Sequence, residues 1–467
     1  MSTIWVPELV NGSGPKYKAV ADAIRQGIAA GDLTPGTKLP PVRDLAWRLG
    51  ITPGTVARAY TLLTDDGTAT AGVGRGTFVA APDAGAPLLR EVPLEVDSAT
   101  HNAEVQTWHV NLFSPHLPSV GQAPLMRRLL GEIAQDPPSG LMHYPTRVGA
   151  RAARDAVVQW LSEAPLGRVD QSQIQLASGG QNAILLVLMS VLNGRRPCVL
   201  VEELSYPGFR RAAELLRADV VPVAMDADGI VPEALEAAIR AHDAQVLCTS
   251  PEIHNPTLGF TPEPRRQALA QIATQGGLQI IEDDCYRLGA AQAPSYRQIV
   301  PERTWYISSI SKMLTPALRL GFVVAPEAQI ARLRRMAEYA FFGLPTPMTD
   351  LCAALLGHPE LPAIQAAVRA GVNAYAQRAA NVLGSHALSW RQDVPFLLLE
   401  LPTGWRASAF VRAAEEQGVR VRAAEEYACR DARAPHAVRF AVNAGVPLPA
   451  FEAAMERLRA LLDNPPE

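Results

Sequence analysis

Lysine is almost absent from this sequence of 467 residues. Only four lysines occur, and they are Lys16, Lys18 and Lys38 near the N-terminus and Lys312. Arginine supplies the remaining positive charge, but it cannot replace lysine as a nucleophilic amine, because the guanidinium stays protonated and forms no Schiff base. Lys312 lies among serines, with an arginine seven residues further on. The sequence therefore predicts a covalent bond between Lys312 and a carbonyl compound.

Cysteine and long apolar runs are also scarce. The five cysteines are odd in number and form no C-x-x-C pair, which predicts reduced thiols without disulfides and no metal site. No apolar run reaches membrane-spanning length, and the N-terminus has no basic-then-apolar signal. We therefore expect a cytoplasmic protein that does not enter a membrane. The net charge of -3 gives no global electrostatic case for nucleic-acid binding.

Residues 1–80 form a first predicted domain. Apolar spacing and stop signals predict helices over 17–30, 42–49 and 53–63, and residues 66–79 read as a β-hairpin with a basic tip. This order is typical of a winged helix-turn-helix, whose third helix enters the major groove of DNA. The segment holds eight Lys/Arg against six Asp/Glu, a net of only +2. DNA binding therefore depends on where these charges lie.

A linker and a large second domain follow. Residues 81–108 are rich in turn formers and lack periodicity, which predicts a linker that is semi-rigid where proline is frequent. From 109 to 467, strand-like apolar runs alternate with helical ones, which predicts an α/β fold with a mainly parallel sheet. The predicted strands are 198–201, 220–223, 245–249, 279–282 and 321–324.

Several polar residues of this domain suit an aldehyde cofactor that carries a phosphate and a pyridine ring. The glycine-containing turn 177–183 precedes an apolar helix, whose N-terminus could bind the phosphate. A carboxylate of Glu282-Asp283-Asp284, at a strand end, could keep the ring nitrogen protonated. Asn255 and Tyr286 could donate to the ring oxygen, and Tyr206 could supply an aromatic face.

The first domain resembles the GntR-type DNA-binding domain. The motifs are Leu39-Pro40-Pro41-Val42-Arg43-Asp44-Leu45-Ala46, Thr52-x-x-Thr55-Val56-x-Arg58-x-Tyr60-x-x-Leu63 and Gly74-Arg75-Gly76-Thr77-Phe78-Val79. The resemblance implies that phosphates or base edges of DNA are contacted by Arg43, Thr52, Thr55 and Arg58, with Arg75 on the wing. Pro53-Gly54 stands where this family often has arginine or another polar contact residue, so phosphate contacts gain weight relative to base contacts.

The second domain resembles fold-type I pyridoxal-phosphate enzymes of the aminotransferase family. The motifs, in the family's order, are Tyr144-Pro145 through Gly149, Ser178-Gly179-Gly180-Gln181, Asn255-Pro256-Thr257, Asp283-x-x-Tyr286, Ser309-x-Ser311-Lys312 with Arg319, and Val438-Arg439-Phe440. Leu258 departs from the pattern, because it separates Thr257 from Gly259 and lengthens that loop.

This second resemblance implies a role for each matching residue. Lys312 would hold the cofactor as a Schiff base, Asp283 would pair with the ring nitrogen, and Tyr206 would stack on the ring. Asn255 and Tyr286 would bind the ring oxygen. The residues implied to hold the phosphate are Gly180, Gln181, Ser309 and Arg319. The residues implied to bind the effector are Arg439, as a carboxylate clamp, and Tyr144.

Both domains together resemble the MocR/GabR-type transcriptional regulators. The resemblance implies a homodimer that binds double-stranded operator DNA at two half-sites and senses an amino acid, amine or aminosulfonate through pyridoxal phosphate. Two alternatives stay open from the residues. The chain could be a working aminotransferase with an appended DNA-binding domain, or pyridoxal phosphate itself could be the signal.

Overall fold

The computed structural model describes residues 5, 16–65, 68–72, 76–80, 109–429 and 432–466. Contacts between Cα atoms divide the chain into two compact units, Met1–Leu94 and Glu95–Glu467. The predicted linker, 81–108, lies outside the described residues, so the domain boundaries remain a prediction. Among the described residues no single helix is long and apolar enough to cross a membrane. One pair of helices, 346–356 and 361–383, meets that criterion only when taken together, with a bend of 84° between them.

The smaller unit contains the three predicted helices and the hairpin. Its helices are α1 (Lys16–Ala29), α2 (Val42–Arg48) and α3 (Pro53–Asp65), and its strands are β1 (Ala69–Gly72) and β2 (Gly76–Val79). The strands pair antiparallel. Each helix turns its apolar stripe inward, so that Val20, Leu45 and Val56 are fully buried. A hydrogen bond from the Tyr60 hydroxyl to the Pro40 carbonyl, 2.7 Å long, fixes α3 against the turn before α2.

The larger unit alternates strands with helices along most of its length. Its helices are α4 (Gln122–Gln135), α5 (Arg151–Trp160), α6 (Gly180–Val191), α7 (Pro207–Leu215), α8 (Pro232–Ala241), α9 (Glu263–Gln275), α10 (Tyr296–Ile299), α11 (Ile330–Phe341), α12 (Thr346–Leu356), α13 (Leu361–Leu383), α14 (Ala407–Glu416) and α15 (Leu448–Asp463). Its strands are β3 (Val110–Asn111), β4 (Ile174–Ala177), β5 (Cys198–Glu202), β6 (Asp219–Val223), β7 (Met225–Asp226), β8 (Gly229–Ile230), β9 (Ala244–Thr249), β10 (Gln279–Asp283), β11 (Thr304–Ser309), β12 (Gly321–Val324), β13 (Leu388–Ser389), β14 (Phe396–Glu400), β15 (Val419–Arg420), β16 (Arg422–Ala423) and β17 (Ala437–Ala441).

Seven of these strands form one sheet in the order β4-β12-β11-β10-β9-β5-β6. Only β12 runs antiparallel to its neighbours, so the predicted mainly parallel sheet is present. The five predicted strands are all found, and β4 and β11 are two that sequence reasoning did not assign as strands. The central strands are buried on both faces and rich in Val, Ile and Leu, as expected for a parallel sheet covered by helices.

A second, antiparallel sheet has the order β13-β14-β17-β16. Beside it, β3 pairs in parallel with β15, through Val110 opposite Val419 and Asn111 opposite Arg420. The first residues of the larger unit that the structure describes are thereby joined to its C-terminal part. The ends of β9, β10 and β11 in the large sheet and the strand β17 in the small one carry most of the residues that the sequence assigns to a site.

Candidate functional site

The polar residues predicted to contact DNA lie on one side of α3. Thr52 and Arg58 are exposed and Thr55 is half-buried, whereas Val56 and Leu63, on the opposite side, are fully buried. The Thr52 and Thr55 hydroxyl oxygens are 2.9 Å apart, which orients both side chains at the start of the helix. This arrangement leaves a polar, cationic face of α3 open to a ligand.

Arg58 is held in place by an aromatic ring. Its guanidinium carbon lies 4.3 Å from the centroid of the Tyr17 ring, a cation–π contact between α3 and α1. Arg43 is exposed near the start of α2. Arg75, the predicted wing contact, lies outside the described residues. The structure thus presents Arg43, Thr52 and Arg58 on the surface of the smaller unit.

In the larger unit, the predicted phosphate turn meets Arg319 without any side chain between them. Gly179 has φ +83°, and a Cβ on it would lie 2.6 Å from Arg319 Nη2. A Cβ on Gly321 would lie 2.6 Å from the carbonyl carbon of Gly179. The first turn of α6 therefore opens beside an arginine and bare backbone, an arrangement that suits a phosphate.

Cys285 joins the phosphate turn to the neighbouring strand ends. A Cβ on Gly180 would lie 2.9 Å from Cys285 Sγ, and Cys285 hydrogen-bonds Ser309. The backbone N–H of Cys285 donates to Asp283 Oδ1 at 3.1 Å. Burial and the nearby Asp283 carboxylate raise the pKa of the Cys285 thiol, which keeps it protonated. Three predicted positions, Gly180, Asp283 and Ser309, thus meet around Cys285 at the ends of β10 and β11.

In the larger unit, several buried polar atoms of predicted site residues and their neighbours have no hydrogen-bond partner among the described residues. Asn255 is 2% exposed, yet both its Oδ1 and its Nδ2 are unpaired. The hydroxyls of Ser205 and Ser311 are buried and unpaired as well. Because an unsatisfied buried polar atom costs about 1–3 kcal/mol, such atoms mark a place where a ligand would restore the lost bonds.

Gln181 and Tyr206 pack together next to these atoms. Gln181 Nε2 donates to the Gly208 carbonyl at 3.0 Å. A Cβ on Gly208 would lie 2.1 Å from both Gln181 Oε1 and Tyr206 Cε1, so the glycine is what allows the two side chains to meet. Tyr206 therefore lies against the first turn of α6, where the sequence predicts the aromatic face.

Lys312 and Arg439 approach the same aromatic ring. Lys312 Nζ is 5.6 Å from the centroid of the Tyr286 ring, and Arg439 Nη2 donates to the Tyr286 hydroxyl at 3.5 Å. Lys312 Nζ also donates to Ser114 Oγ at 2.8 Å. Burial, together with the charge of Lys312, lowers the pKa of His116, two residues beyond Ser114. A nucleophilic amine and an anion-binding group are thus brought to one ring.

Arg439 is buried in a cationic part of the smaller sheet. It is 0% exposed, and its guanidinium carbon lies 4.4 Å from the Phe396 ring centroid. The register of β16 and β17 places Arg422 directly opposite Arg439, and opposed residues of an antiparallel pair share a face. Arg422 forms a 2.9 Å ion pair with Glu426. Two guanidinium groups with one carboxylate favour an anionic ligand.

Tyr144, predicted to bind the effector, lies elsewhere on the described chain. Its side chain is 85% exposed, and its ring centroid is 6.3 Å from that of Phe342. With Arg154 and Arg334 it lines a surface cavity of about 770 Å³. Its predicted role therefore remains a prediction that this single chain leaves untested.

The residues present fit pyridoxal phosphate. The bare turn against Arg319 matches its phosphate, the unpaired atoms of Asn255 match the ring oxygen, and Asp283, 7% exposed at the end of β10, matches the ring nitrogen. Lys312 has the primary amine that its aldehyde would require. The fit depends on the chemistry of these donors and on the room left by Gly179.

Sequence reasoning missed Phe113, Ser114 and Arg422. Phe113 accepts a 2.7 Å hydrogen bond from Arg439 Nη1 through its carbonyl oxygen. Ser114 is 198 residues away from Lys312 in the sequence. No motif spacing or periodicity surrounds these residues, so no local signal could have identified them.

Comparison with known proteins assigns both parts of the chain. The family of bacterial regulatory proteins of the gntR type matches residues 16–79, and the aminotransferase class I and II family, which binds pyridoxal phosphate, matches residues 121–458. The uncharacterized HTH-type transcriptional regulator YdeF of Bacillus subtilis (strain 168) is 29% identical over 98% of this chain and 97% of its own length. The HTH-type pyridoxine biosynthesis transcriptional regulator PdxR of Corynebacterium glutamicum is 30% identical over 66% of each chain.

Solved structures agree with this assignment. An archaeal alanine:glyoxylate aminotransferase superposes with a TM-score of 0.68, at 22% identity, over 76% of this chain and 91% of its own. At that identity the likeness shows the fold alone, which is the fold-type I aminotransferase architecture. The chain combines a gntR-type DNA-binding domain with an aminotransferase-like domain, and the regulator YdeF matches it over nearly its whole length. This chain therefore belongs to the aminotransferase class I and II family and is a transcriptional regulator of the MocR/PdxR type.

Proposed function

We propose that this regulator senses an amino compound through pyridoxal phosphate bound at Lys312. The observation that carries the proposal is the approach of Lys312 and Arg439 to the same Tyr286 ring, at 5.6 Å from its centroid and 3.5 Å from its hydroxyl respectively. An amine-exchanging group and an anion-binding group at this separation suit a ligand that carries both an amine and an acidic group.

The chain's own residues would hold the cofactor at three points. Arg319 and the first turn of α6 would bind its phosphate, Asp283 would bind the ring nitrogen, and Asn255 and Tyr286 would bind the ring oxygen. Pyridoxal phosphate, when bound, would supply an aldehyde carbon that reacts with primary amines. Lys312 would be the residue that holds this carbon, and an amino compound would compete with Lys312 for it. Tyr206 would cover one face of the ring.

The effector would be an amino acid, amine or aminosulfonate. Arg439 is fully buried, so a carboxylate or sulfonate that binds it is recognised in a low-dielectric environment, where a charge-assisted bond is strong. A simple amine without an acidic group would leave Arg439 without that partner. Amino acids and aminosulfonates are therefore the favoured classes.

DNA binding would require two copies of the chain. A winged helix of this kind reads one half-site, and a dimer reads two. The exposed side chains of Met142, Tyr144 and Phe342 support a homodimer, because exposed apolar patches mark protein interfaces. Arg43, Thr52, Thr55, Arg58 and Arg75 would contact the operator.

A working aminotransferase with an appended DNA-binding domain is the second candidate. The cofactor residues are those that an enzyme of this family would use, and the match to the aminotransferase class I and II family covers most of the chain. A third candidate, in which pyridoxal phosphate is itself the signal, is supported by the similarity to a regulator of pyridoxine biosynthesis.

Two measurements, an absorption titration and an operator-affinity assay, separate the three candidates. The cofactor-loaded protein is mixed with a panel of amino acids, amines and aminosulfonates while its visible absorption is recorded. A shift of the cofactor band that persists without release of an oxo acid supports the sensor. Decay of the band with oxo acid in solution supports the enzyme. An operator affinity that changes with pyridoxal phosphate alone, and with no amine, supports the third candidate.

A further inference from the structure

A short segment, 113–116, contacts both Lys312 and Arg439. We name these four residues, Phe-Ser-Pro-His, the strap. Arg439 Nη1 donates to the carbonyl oxygen of Phe113 at 2.7 Å, and Lys312 Nζ donates to Ser114 Oγ at 2.8 Å. Two consecutive residues of the strap thus occupy the anion-binding group and the amine that an effector would use.

The strap is anchored to the smaller sheet on both sides. Just before it, the backbone N–H of Leu112 donates to the carbonyl of Arg420 at 2.9 Å, and within it the N–H of His116 donates to the carbonyl of Val442 at 3.0 Å. The Phe113 ring has the guanidinium carbons of Arg420 and Arg422 at 4.6 and 4.7 Å from its centroid. The strap therefore has a defined position, from which it can be displaced.

An effector competes with the strap for Arg439. The guanidinium makes both bonds charge-assisted, but a carboxylate adds a full negative charge and two acceptor oxygens that can bind the guanidinium in a bidentate way, whereas the Phe113 carbonyl offers one neutral oxygen. A ligand carboxylate would therefore replace the Phe113 oxygen on Arg439. The strap would lose one of its two contacts with the site.

Ser114 would respond to the release of Lys312 from the cofactor. A Lys312 side chain bonded to the cofactor would direct its nitrogen at the cofactor and would not serve as the amine that Ser114 binds. A Lys312 side chain released by an amino compound would regain its primary amine, the group that donates to Ser114 Oγ at 2.8 Å. Effector binding thus removes the strap's contact with Arg439 and provides its contact with Lys312.

From these contacts, and on the basis of the proposed function, we infer that the strap is the element that reports effector binding to the DNA-binding domain. Without effector the strap is held by Arg439, and with effector it is held by Lys312. In the sequence the strap follows the predicted linker, 81–108, and the two-residue strand β3. A change of hydrogen-bond partner from Arg439 to Lys312 would therefore switch the strap between two states, close in sequence to the predicted linker.

The test uses two small probes that differ only in the acid. Aminooxyacetate and O-methylhydroxylamine both capture the cofactor aldehyde and release Lys312, but only aminooxyacetate has a carboxylate for Arg439. Backbone amide hydrogen exchange of residues 112–117 and operator affinity are measured on the cofactor-loaded full chain. With aminooxyacetate we expect both to change in the natural protein. With O-methylhydroxylamine Lys312 can reach Ser114 while Phe113 stays on Arg439, so we expect slower exchange and an unchanged operator affinity.

Ser114→Ala removes the acceptor for Lys312. We expect its absorption change with aminooxyacetate to be normal, exchange over 112–117 to become about tenfold faster than in the natural protein with the same probe, and the operator response to be lost. The matched control is Ser190→Ala, which removes another buried hydroxyl that donates to the Leu186 carbonyl at 2.7 Å within α6. The control is expected to behave like the natural protein.

Two failures can be told apart. If aminooxyacetate causes no absorption change in the natural protein, the proposed cofactor function fails and the strap inference fails with it. If the absorption change is normal but Ser114→Ala and Ser190→Ala respond alike, the strap inference alone is overturned. Equal responses to the two probes in the natural protein would also overturn it, because the carboxylate would then have no part in moving the strap.

Discussion

Gly179 and Arg319 approach so closely that a Cβ on the glycine would lie 2.6 Å from Arg319 Nη2. Real Cβ atoms do not come this close to another heavy atom, so one of the two groups would have to move. Gly179 also has φ +83°, a conformation that residues with a side chain rarely adopt. Arg319 can thus lie at the phosphate turn only because residue 179 is a glycine and has no Cβ.

We predict that Gly179→Ala weakens pyridoxal phosphate binding by about 100-fold, because Arg319 is pushed out of the phosphate position and its charge-assisted bonds are lost. Cofactor affinity is measured by absorption titration. Gly194→Ala is the control, because Gly194 has φ +85° but no atom within 4 Å of the added Cβ. It is expected to cost stability through backbone strain and to leave cofactor affinity unchanged. Equal loss of affinity in both variants would assign the effect to strain.

Lys312→Ala is expected to abolish covalent attachment of the cofactor, because Lys312 is the only lysine in the sequence after Lys38. Borohydride treatment followed by mass spectrometry measures the adduct. Lys38→Ala is the control, since Lys38 lies in the smaller unit, with its amine 5.8 Å from the Phe78 ring centroid, and the adduct should be retained. A reducible adduct that persists in Lys312→Ala would move the attachment site to another residue.

Arg58→Ala is expected to weaken operator binding and to reduce the slope of log affinity against log salt by about 1, the effect of losing one phosphate contact. Fluorescence anisotropy over a range of salt concentrations measures both quantities. Arg25→Ala, on α1 and paired with Asp22 at 2.6 Å, is the control. Because Arg58 also stacks on Tyr17, thermal unfolding of both variants must be compared. Unchanged affinity and slope in Arg58→Ala would remove this residue from the DNA interface.

Glu282, at the end of β10, makes stability depend on pH. Burial raises its pKa from the ordinary 4.5 to about 7, against the opposing effects of the Ser295 hydroxyl and Arg266. The protonated form is favoured in the folded chain, so the contribution of Glu282 to stability is fully present below about 4.5 and is lost as pH rises through about 7.

We therefore predict that Glu282→Gln flattens the fall in unfolding free energy between pH 4.5 and 7, because glutamine has no proton to lose. Urea unfolding at several pH values, compared with the natural protein, measures the difference. Glu302→Gln, an exposed position, should keep the natural pH dependence. Parallel curves for Glu282→Gln and the natural protein would contradict the assignment.

Much of this architecture follows from local signals in the sequence. The helices of the smaller unit were predicted to within two residues of their bounds, because their apolar stripes and stop signals are local. Lys312 and Arg439 could be predicted because lysine is so rare and because the motifs around them are short and ordered. The resemblance of both domains to known families is confirmed by the family matches.

The remaining features depend on contacts between distant residues. Strand β11 ends in Ser308-Ser309, two small polar residues that gave no strand signal, yet both serines are buried in the sheet. The antiparallel direction of β12 follows from its hairpin connection to β11, which strand propensity does not encode. Ser114 is an isolated serine until folding brings Lys312 to it. No periodicity could have shown these three features.

The pairing of β4 with β12 places Ala177 opposite Gly321, so the two sides of the phosphate turn come from distant parts of the chain. During synthesis, the ribosome must have released β12 before Arg319 and Gly321 can close on Gly179. A nascent or truncated polypeptide that stops before β12 would lack one wall of the proposed phosphate site. If the proposed function holds, the cell's supply of the vitamin would act on the regulator only after β12 has been translated.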